Sequence, residues 1–137
     1  MAGESDLEKL LNNMEPTLMD GRYYFATVDE SQLLTLSGYL DGIVAIFREK
    51  EGLSIVISED LKAVMARLSE KEIIGPFALI SLTVHSDLHA VGLLAKITGA
   101  LAKEGISVNA FSAYYHDHLF VPYDRKDDAM AVLSELP

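Results

Sequence analysis

The side chains best suited to chemistry in this 137-residue chain are imidazoles, all of them in its C-terminal half. Four histidines carry these imidazoles, and two aspartates lie among them in the sequence. The six residues are His85, Asp87, His89, His116, Asp117 and His118. Imidazole and carboxylate groups are ligands for Zn²⁺ and similar ions. Neutral imidazoles can instead hydrogen-bond an anionic ligand and respond to pH near neutrality. The second use is favoured, because His85 and His89 are separated by a predicted loop and would share a face only in a helix. Ordinary turn and sheet-edge roles are a third interpretation.

A strand, a loop and a helix carry the first of these residues. Phe77–Val84 is almost entirely apolar, which predicts a central strand buried on both faces. Gly92 to Glu104 has apolar residues at helical spacing, and Gly105 ends the predicted helix.

Two further strands carry the remaining histidines. Ile106–Tyr115 and Leu119–Val121 are predicted as strands joined by a turn at His116-Asp117. In a split βαββ sheet this turn lies at the same edge as the end of the first strand, so the four imidazoles should gather there.

The loop before the predicted helix suits an α-amino acid. A glycine at position 92 lets ligand atoms approach the backbone closely. The free N–H groups of the first helical turn favour a carboxylate, and Ser86 with Asp87 offers acceptors to an ammonium group. The same residues could instead cap the helix while Gly92 eases packing. The residues alone leave both interpretations open.

The N-terminal half shows its own pattern of elements. Ser5 and Glu8 predict a capping box for a first helix. Arg22–Val28 is β-prone and follows a turn signal, which predicts a hairpin with residues 17–19. Ile43–Phe47 and Leu53–Ile57 predict a second hairpin, followed by a helix that ends at residue 68.

Gly75-Pro76 marks the predicted boundary between two units, residues 1–74 and 75–137. The second unit then runs β-α-β-β-α and lacks the fourth strand of a ferredoxin-like βαββαβ sheet. Because an open edge beside a central strand is a liability, we expect a strand from the first half to fill it. The predicted fold class is α+β, with antiparallel sheets covered by helices on one face.

Composition excludes several classes of function. The formal net charge is −10, and no Lys/Arg cluster exists, so nucleic acid and anionic membranes are not expected partners. The chain has no cysteine, which removes disulfides and thiolate chemistry. The acidic N-terminus and the short uncharged stretches predict a cytoplasmic protein without a signal peptide or membrane span. No nucleotide-binding, H-E-x-x-H or nucleophile-elbow motif occurs, so no catalytic residue and no cofactor are predicted.

Residues 77–136 resemble an ACT domain, a regulatory module of amino-acid metabolism. The resemblance rests on the apolar first strand, the loop from Ser86 to Gly92, the Leu94/Ile97/Leu101 helix and the run Glu104-Gly105-Ile106-Ser107-Val108. The whole chain is similar to bacterial tandem-ACT proteins, distant relatives of the arginine sensor CASTOR. The resemblance implies a non-catalytic homodimer that binds an amino acid or related small metabolite.

The resemblance also implies a ligand site at the loop and at the strand that follows the helix. Its residues are His85, Ser86, Asp87, Leu88, His89, Ala90, Val91, Gly92, Ser107 and Asn109, with Tyr115, His116 and His118 as secondary candidates. Val91-Gly92 replaces the family's usual Pro-Gly, and Ser107 stands where Asn is common, which affects ligand identity rather than fold. Two rival hypotheses remain: a metal-dependent enzyme or metal-binding protein at the histidine-rich edge, and a structural partner that acts through sheet edges.

Overall fold

The computed structural model describes residues 6–83 and 91–136. The chain divides into two compact units. One, here the terminal unit, contains Met1–Asp20 and Ala78–Pro137, and the other, the middle unit, contains Gly21–Phe77. The sequence analysis placed a single boundary at Gly75. In the structure the chain also passes from the terminal unit to the middle unit after Asp20.

The terminal unit contains a four-stranded sheet. Its elements are α1 (Leu7–Asn13), β1 (Pro16–Leu18), the second part of β5 (Ile74–Leu82), α4 (Leu93–Lys103), β6 (Asn109–Ser112), β7 (Asp117–Pro122) and α5 (Lys126–Ser134). The strand order is β1-β5-β7-β6. β1 runs antiparallel to β5, with Pro16 opposite Leu82 and Leu18 opposite Ile80. The predicted fourth strand from the first half is therefore confirmed, whereas the predicted pairing of residues 17–19 with Arg22–Val28 is wrong.

Helices cover one face of this sheet because two periodicities coincide. α4 buries Leu93, Ile97 and Leu101, four residues apart, and β5 buries alternate residues such as Ile80 and Leu82 on the same core. Leu10, Leu11 and Met14 belong to that core as well. Their burial explains why the first twenty residues belong to the terminal unit.

The middle unit repeats the architecture. It consists of β2 (Tyr23–Val28), α2 (Leu33–Leu36), β3 (Ile43–Glu49), β4 (Gly52–Ser58), α3 (Lys62–Leu68) and the start of β5, with 3₁₀ turns at Glu30–Gln32, Ser37–Gly42 and Glu59–Leu61. The strand order is β3-β4-β2-β5. Tyr24, Ala26 and Val28 alternate into a core with Ile55, Ile57, Leu36 and Met65. Both units have the ferredoxin-like arrangement, so the predicted fold class and the 43–57 hairpin are confirmed.

Two local predictions need correction or lie partly outside the described residues. The cap of α1 is Asp6, whose Oδ1 accepts from the Lys9 backbone N–H at 3.1 Å, and Ser5 of the predicted capping box lies outside the described residues. The turn before β7 spans Ala113–His116, closed by a 3.0 Å bond from Ala113 N–H to the His116 carbonyl. Asp117 is not a turn residue but the buried first residue of β7, opposite Ser112.

Across residues 6–83 and 91–136, no helix combines the length and the apolar character needed to cross a membrane.

Candidate functional site

The N-terminus of α4 is built on Gly92. This residue is the N-cap, with φ of +94°, and its carbonyl accepts the first helical bond from Lys96 N–H at 2.9 Å. A left-handed φ favours glycine, since a Cβ there is strained. A Cβ at this position would also lie 3.3 Å from Leu7 Cδ2 of α1. Glycine therefore has a packing role at this position. It also means that the N-cap residue places no side chain over the N-terminus of α4.

The structure places only part of the predicted ligand loop. His85, Ser86, Asp87, Leu88, His89 and Ala90 lie outside the described residues. Val91 is 83% exposed and adjoins the Gly92 cap. The two described loop residues thus lie together at the start of α4.

Ser107 and Asn109 come after α4 in the sequence, and Asn109 is the first residue of β6. Both are exposed and follow the C-terminal turn of α4, where Ile106 N–H donates to the Leu101 carbonyl. The 11 residues of α4 span about 16 Å. Ser107 therefore follows the end of α4 that is distant from Gly92, whereas Asn109 already belongs to β6.

A second cluster of predicted residues lies at the β6–β7 turn. The ring centroids of His116 and His118 are 6.5 Å apart, and those of Tyr115 and His116 are 6.4 Å apart. Tyr114 packs edge-on against Tyr115 at 4.9 Å, and both tyrosines are largely exposed. The three secondary candidates, Tyr115, His116 and His118, therefore form one row of rings.

His118 is anchored to the central strand through Ser81. The Nδ1 atom of His118 lies 2.8 Å from Ser81 Oγ; the hydroxyl donates to Nδ1 or accepts from Nδ1–H according to the tautomer. Burial lowers the pKa of His118, the neighbouring His116 lowers it further, and Asp117 opposes the shift. At neutral pH the ring is therefore uncharged, with one nitrogen engaged by the serine.

Ser81 was missed in the sequence analysis. It is buried within the apolar run of β5. A polar side chain in a central strand must find a hydrogen-bond partner. That requirement could have indicated from the sequence that Ser81 has a hydrogen-bond partner. The sequence did not show that this partner comes from β7.

The described residues do not form a metal centre. Within residues 6–83 and 91–136 there is no group of three or more His, Asp or Glu side chains that could hold an ion. His116 and His118 supply two imidazoles, and His85 and His89 lie outside this part of the chain. A metal at this edge stays a rival hypothesis.

The fold described above defines the class of protein: it is a tandem of two ferredoxin-like α+β units. The ACT domain family matches residues 76–135, and a second match to an ACT domain covers residues 2–74. The chain therefore belongs to the ACT domain family.

Solved structures agree with this assignment. The chain is 45% identical to a Vibrio cholerae protein of unknown function, described as a possible transport protein, over 94% of each chain and with a TM-score of 0.77. A protein from Agrobacterium tumefaciens shares the fold at 19% identity, over 88% of this chain and 87% of its own, with a TM-score of 0.69. The ligand-free regulatory subunit of aspartate kinase from Thermus thermophilus does so at 11% identity, over 91% and 97%, with a TM-score of 0.69. No curated protein matches the chain at a significant level.

Proposed function

We propose that this chain is a non-catalytic regulatory module that binds an α-amino acid or a related small metabolite at the loop before α4. The observation that carries the proposal is the Gly92 cap within an ACT domain match. The helix begins on a residue without a side chain, shortly after Ser86 and Asp87 in the sequence.

The chemistry of an α-amino acid fits that place. Its carboxylate would accept from N–H groups of the first turn of α4, where the helix dipole is positive. Its ammonium group would be held by Asp87 and Ser86, and the imidazoles of His85 and His89 would hydrogen-bond the ligand from the same loop. Tyr115, His116 and His118 are proposed as secondary contacts.

Ser107 and Asn109 are proposed to contact a ligand held by a second copy of the chain. The support is that both residues are exposed and come after the end of α4 that is distant from Gly92. The proposal includes a homodimer and a cytoplasmic setting, and kinship with the CASTOR sensors stays a prediction.

The test is a thermal-shift screen of the purified chain against the amino acids, followed by titration calorimetry of any that stabilise it. A ligand at 100 times its Kd adds about 2.7 kcal/mol of stability, which raises the Tm by several degrees. The α-amide and the N-acetyl form of the same ligand remove its carboxylate and its ammonium charge, so both should bind more weakly.

A matched pair of variants locates the site. Asp87→Asn should weaken binding at least about 10-fold, an effect of about 1.4 kcal/mol. Asp127→Asn, at an exposed acid in the first turn of α5, should leave binding unchanged. Equal binding by the Asp87→Asn variant and the parent would show that the ligand does not bind at this loop. The absence of any response to an amino acid or metabolite would refute the proposal.

The two neighbouring imidazoles of His116 and His118 favour one alternative, a metal-binding protein or metal-dependent enzyme. His116 and His118 are close enough to face a common ion together with a further ligand. Elemental analysis of the purified chain tests this alternative, and a stoichiometric transition metal that His118→Gln releases would support it.

A further inference from the structure

The terminal unit contains a groove between α4 and α5 that shares no residue with the proposed loop site. Its volume is about 610 Å³, which suits a small ligand. Arg125 donates to the Glu104 carbonyl at 3.3 Å, so the end of α4 lies beside the start of α5. Ala100 and Val132, each further inside its helix, line the same groove. The two helices therefore run in opposite directions along it.

One end of the groove contains a guanidinium group that the protein already holds in place. Arg125 Nε donates to Asp128 Oδ2 at 3.0 Å, and Arg125 Nη2 donates to the Glu104 carbonyl at 3.3 Å. These two bonds leave both N–H groups of Nη1 without a partner among the described residues. A guanidinium fixed in this way is preorganised to bind a carboxylate.

Lys103 adds a second cation to the groove. Its ammonium group forms no ion pair or hydrogen bond with any residue in the described part of the chain. The carboxylates of Glu104 and Asp128 also line the groove, and Asp128 is engaged by Arg125. Because these four charges balance while the cations keep unused donors, this end suits a single carboxylate and disfavours a polyanion.

Glu135 lies at the other end of the groove. It follows Asp128 by seven positions, which is close to two helical turns and about 10 Å along α5 on the same face. The Glu135 side chain is exposed and forms no ion pair with another described residue. An ammonium group is the ligand group that this carboxylate would hold.

The surface between the two ends is apolar and largely made of small side chains. Its residues are Ala100, Ala131, Val132 and Leu136. Such a floor lets the hydrocarbon part of a ligand lie against both helices and lose contact with water. The length of α5 between Asp128 and Glu135 therefore sets how far apart the two charged groups of a ligand must be.

We propose that the α4–α5 groove binds an elongated zwitterionic metabolite, with its carboxylate at Arg125 and Lys103 and its amine at Glu135. Both ω-amino carboxylates and short peptides have this chemistry, because their two charges lie at opposite ends of a chain. The backbone charges of an α-amino acid share one carbon and do not span the groove. The inference concerns a second site and does not depend on the proposed function of the loop before α4.

The test is an NMR titration of the isotope-labelled full chain with ε-aminocaproate and with trialanine, which represent the two sources of this chemistry. Amide signals of Ala100, Ala131 and their neighbours should shift on titration. Caproate lacks the amine and hexylamine lacks the carboxylate, so each should bind at least about 10-fold more weakly than ε-aminocaproate. Binding of either zwitterion supports the proposal, and the tighter one identifies the source.

Variants of the lining test each end of the groove separately. Lys103→Gln and Glu135→Gln should each weaken binding at least about 5-fold, since each removes one charge that holds the ligand. Lys96→Gln is the matched control, because Lys96 is an exposed lysine of α4 that does not line the groove. Ala131→Phe places a bulky ring on the floor and should abolish binding, with circular dichroism confirming that the variant is folded.

Three outcomes would overturn the proposal. They are the absence of shifts with both zwitterions at millimolar concentration, equal binding of caproate and ε-aminocaproate, and shifts confined to the surroundings of Gly92. The last outcome would leave the proposed function standing, since it places the probes at the loop. Conversely, Asp87→Asn should leave the binding of ε-aminocaproate unchanged, so that failure of one site is distinguishable from failure of the other.

Discussion

Ser81 and His118 are separated by 37 positions in the chain, yet Ser81 Oγ and His118 Nδ1 lie 2.8 Å apart. The contact joins β5 to β7, next to the turn that carries Tyr115 and His116. It fixes one nitrogen of a ring that burial keeps uncharged. The pH behaviour of this end of the sheet therefore depends on His118.

The first prediction concerns that pH dependence. The folded-state pKa of His118 lies below 6.5, its ordinary value. At pH values between the folded-state pKa and 6.5, the unfolded chain binds more protons than the folded chain. The contribution of His118 to stability therefore falls as the pH drops below 6.5. Thermal unfolding of the parent should lose stability over this window more steeply than that of His118→Gln. Parallel curves for the two proteins would contradict the prediction.

The second prediction separates the causes of that shift by NMR titration of His118. His116→Asn removes a charge that lowers the pKa, so the pKa of His118 should rise. Asp117→Asn removes a charge that raises it, so the pKa should fall further. Shifts of the same sign in both variants would show that a general rearrangement, not local charge, governs the ring.

The third prediction compares two glycines next to or within α4. Gly92→Ala should destabilise the protein by about 1–2 kcal/mol, because its φ of +94° is strained for alanine. Gly99→Ala should stabilise it by about 0.5–1 kcal/mol, since a Cβ there meets nothing within 4 Å and alanine is the better helix former. Chemical denaturation measures both changes, and stabilisation by Gly92→Ala would contradict the structural role given to this residue.

The fourth prediction concerns Tyr24 in the middle unit. Its hydroxyl donates to Glu59 Oε1 at 2.8 Å, and burial followed by this bond raises its pKa. Tyr24→Phe removes the bond and should cost about 1.5–3 kcal/mol, the range for a hydrogen bond to a charged group. Glu59→Gln keeps an acceptor and should cost less. Equal losses in the two variants, measured by urea unfolding, would show that the charge of Glu59 is what matters.

The fifth prediction tests the membership of α1 in the terminal unit. Leu10→Ala should cost about 2–5 kcal/mol, because Leu10 is fully buried in the core formed with β5 and α4. A fragment of residues 75–137 should remain unfolded by circular dichroism, since it lacks this leucine and strand β1. A stable fragment would instead support the single boundary predicted at Gly75.

Local patterns predicted much of the fold. The spacing of Leu93, Ile97 and Leu101 predicted α4, and the apolar run that starts at Phe77 predicted the buried part of β5. The 43–57 hairpin followed from two β-prone runs around Gly52, whose φ of +144° suits glycine. These elements are specified by residues that are neighbours in sequence.

Other features depended on partners that are distant in sequence. β1 has three residues, and nothing within it indicates whether it pairs with β2 or β5. The position of the turn before β7 was misjudged because Tyr114 and Tyr115 are β-prone, yet the structure exposes them at the tip.

The sequence by itself determined the fold class, the acidic charge and the order of most elements, because composition and periodicity act over a few residues, and its resemblance to ACT domains indicated the family. Only the tertiary structure decided that residues 1–20 join the C-terminal unit and that Ser81 contacts His118. These outcomes depend on which buried surfaces and strand edges fit together. That fit is a property of the packed chain, since many local arrangements satisfy the same hydrophobic pattern.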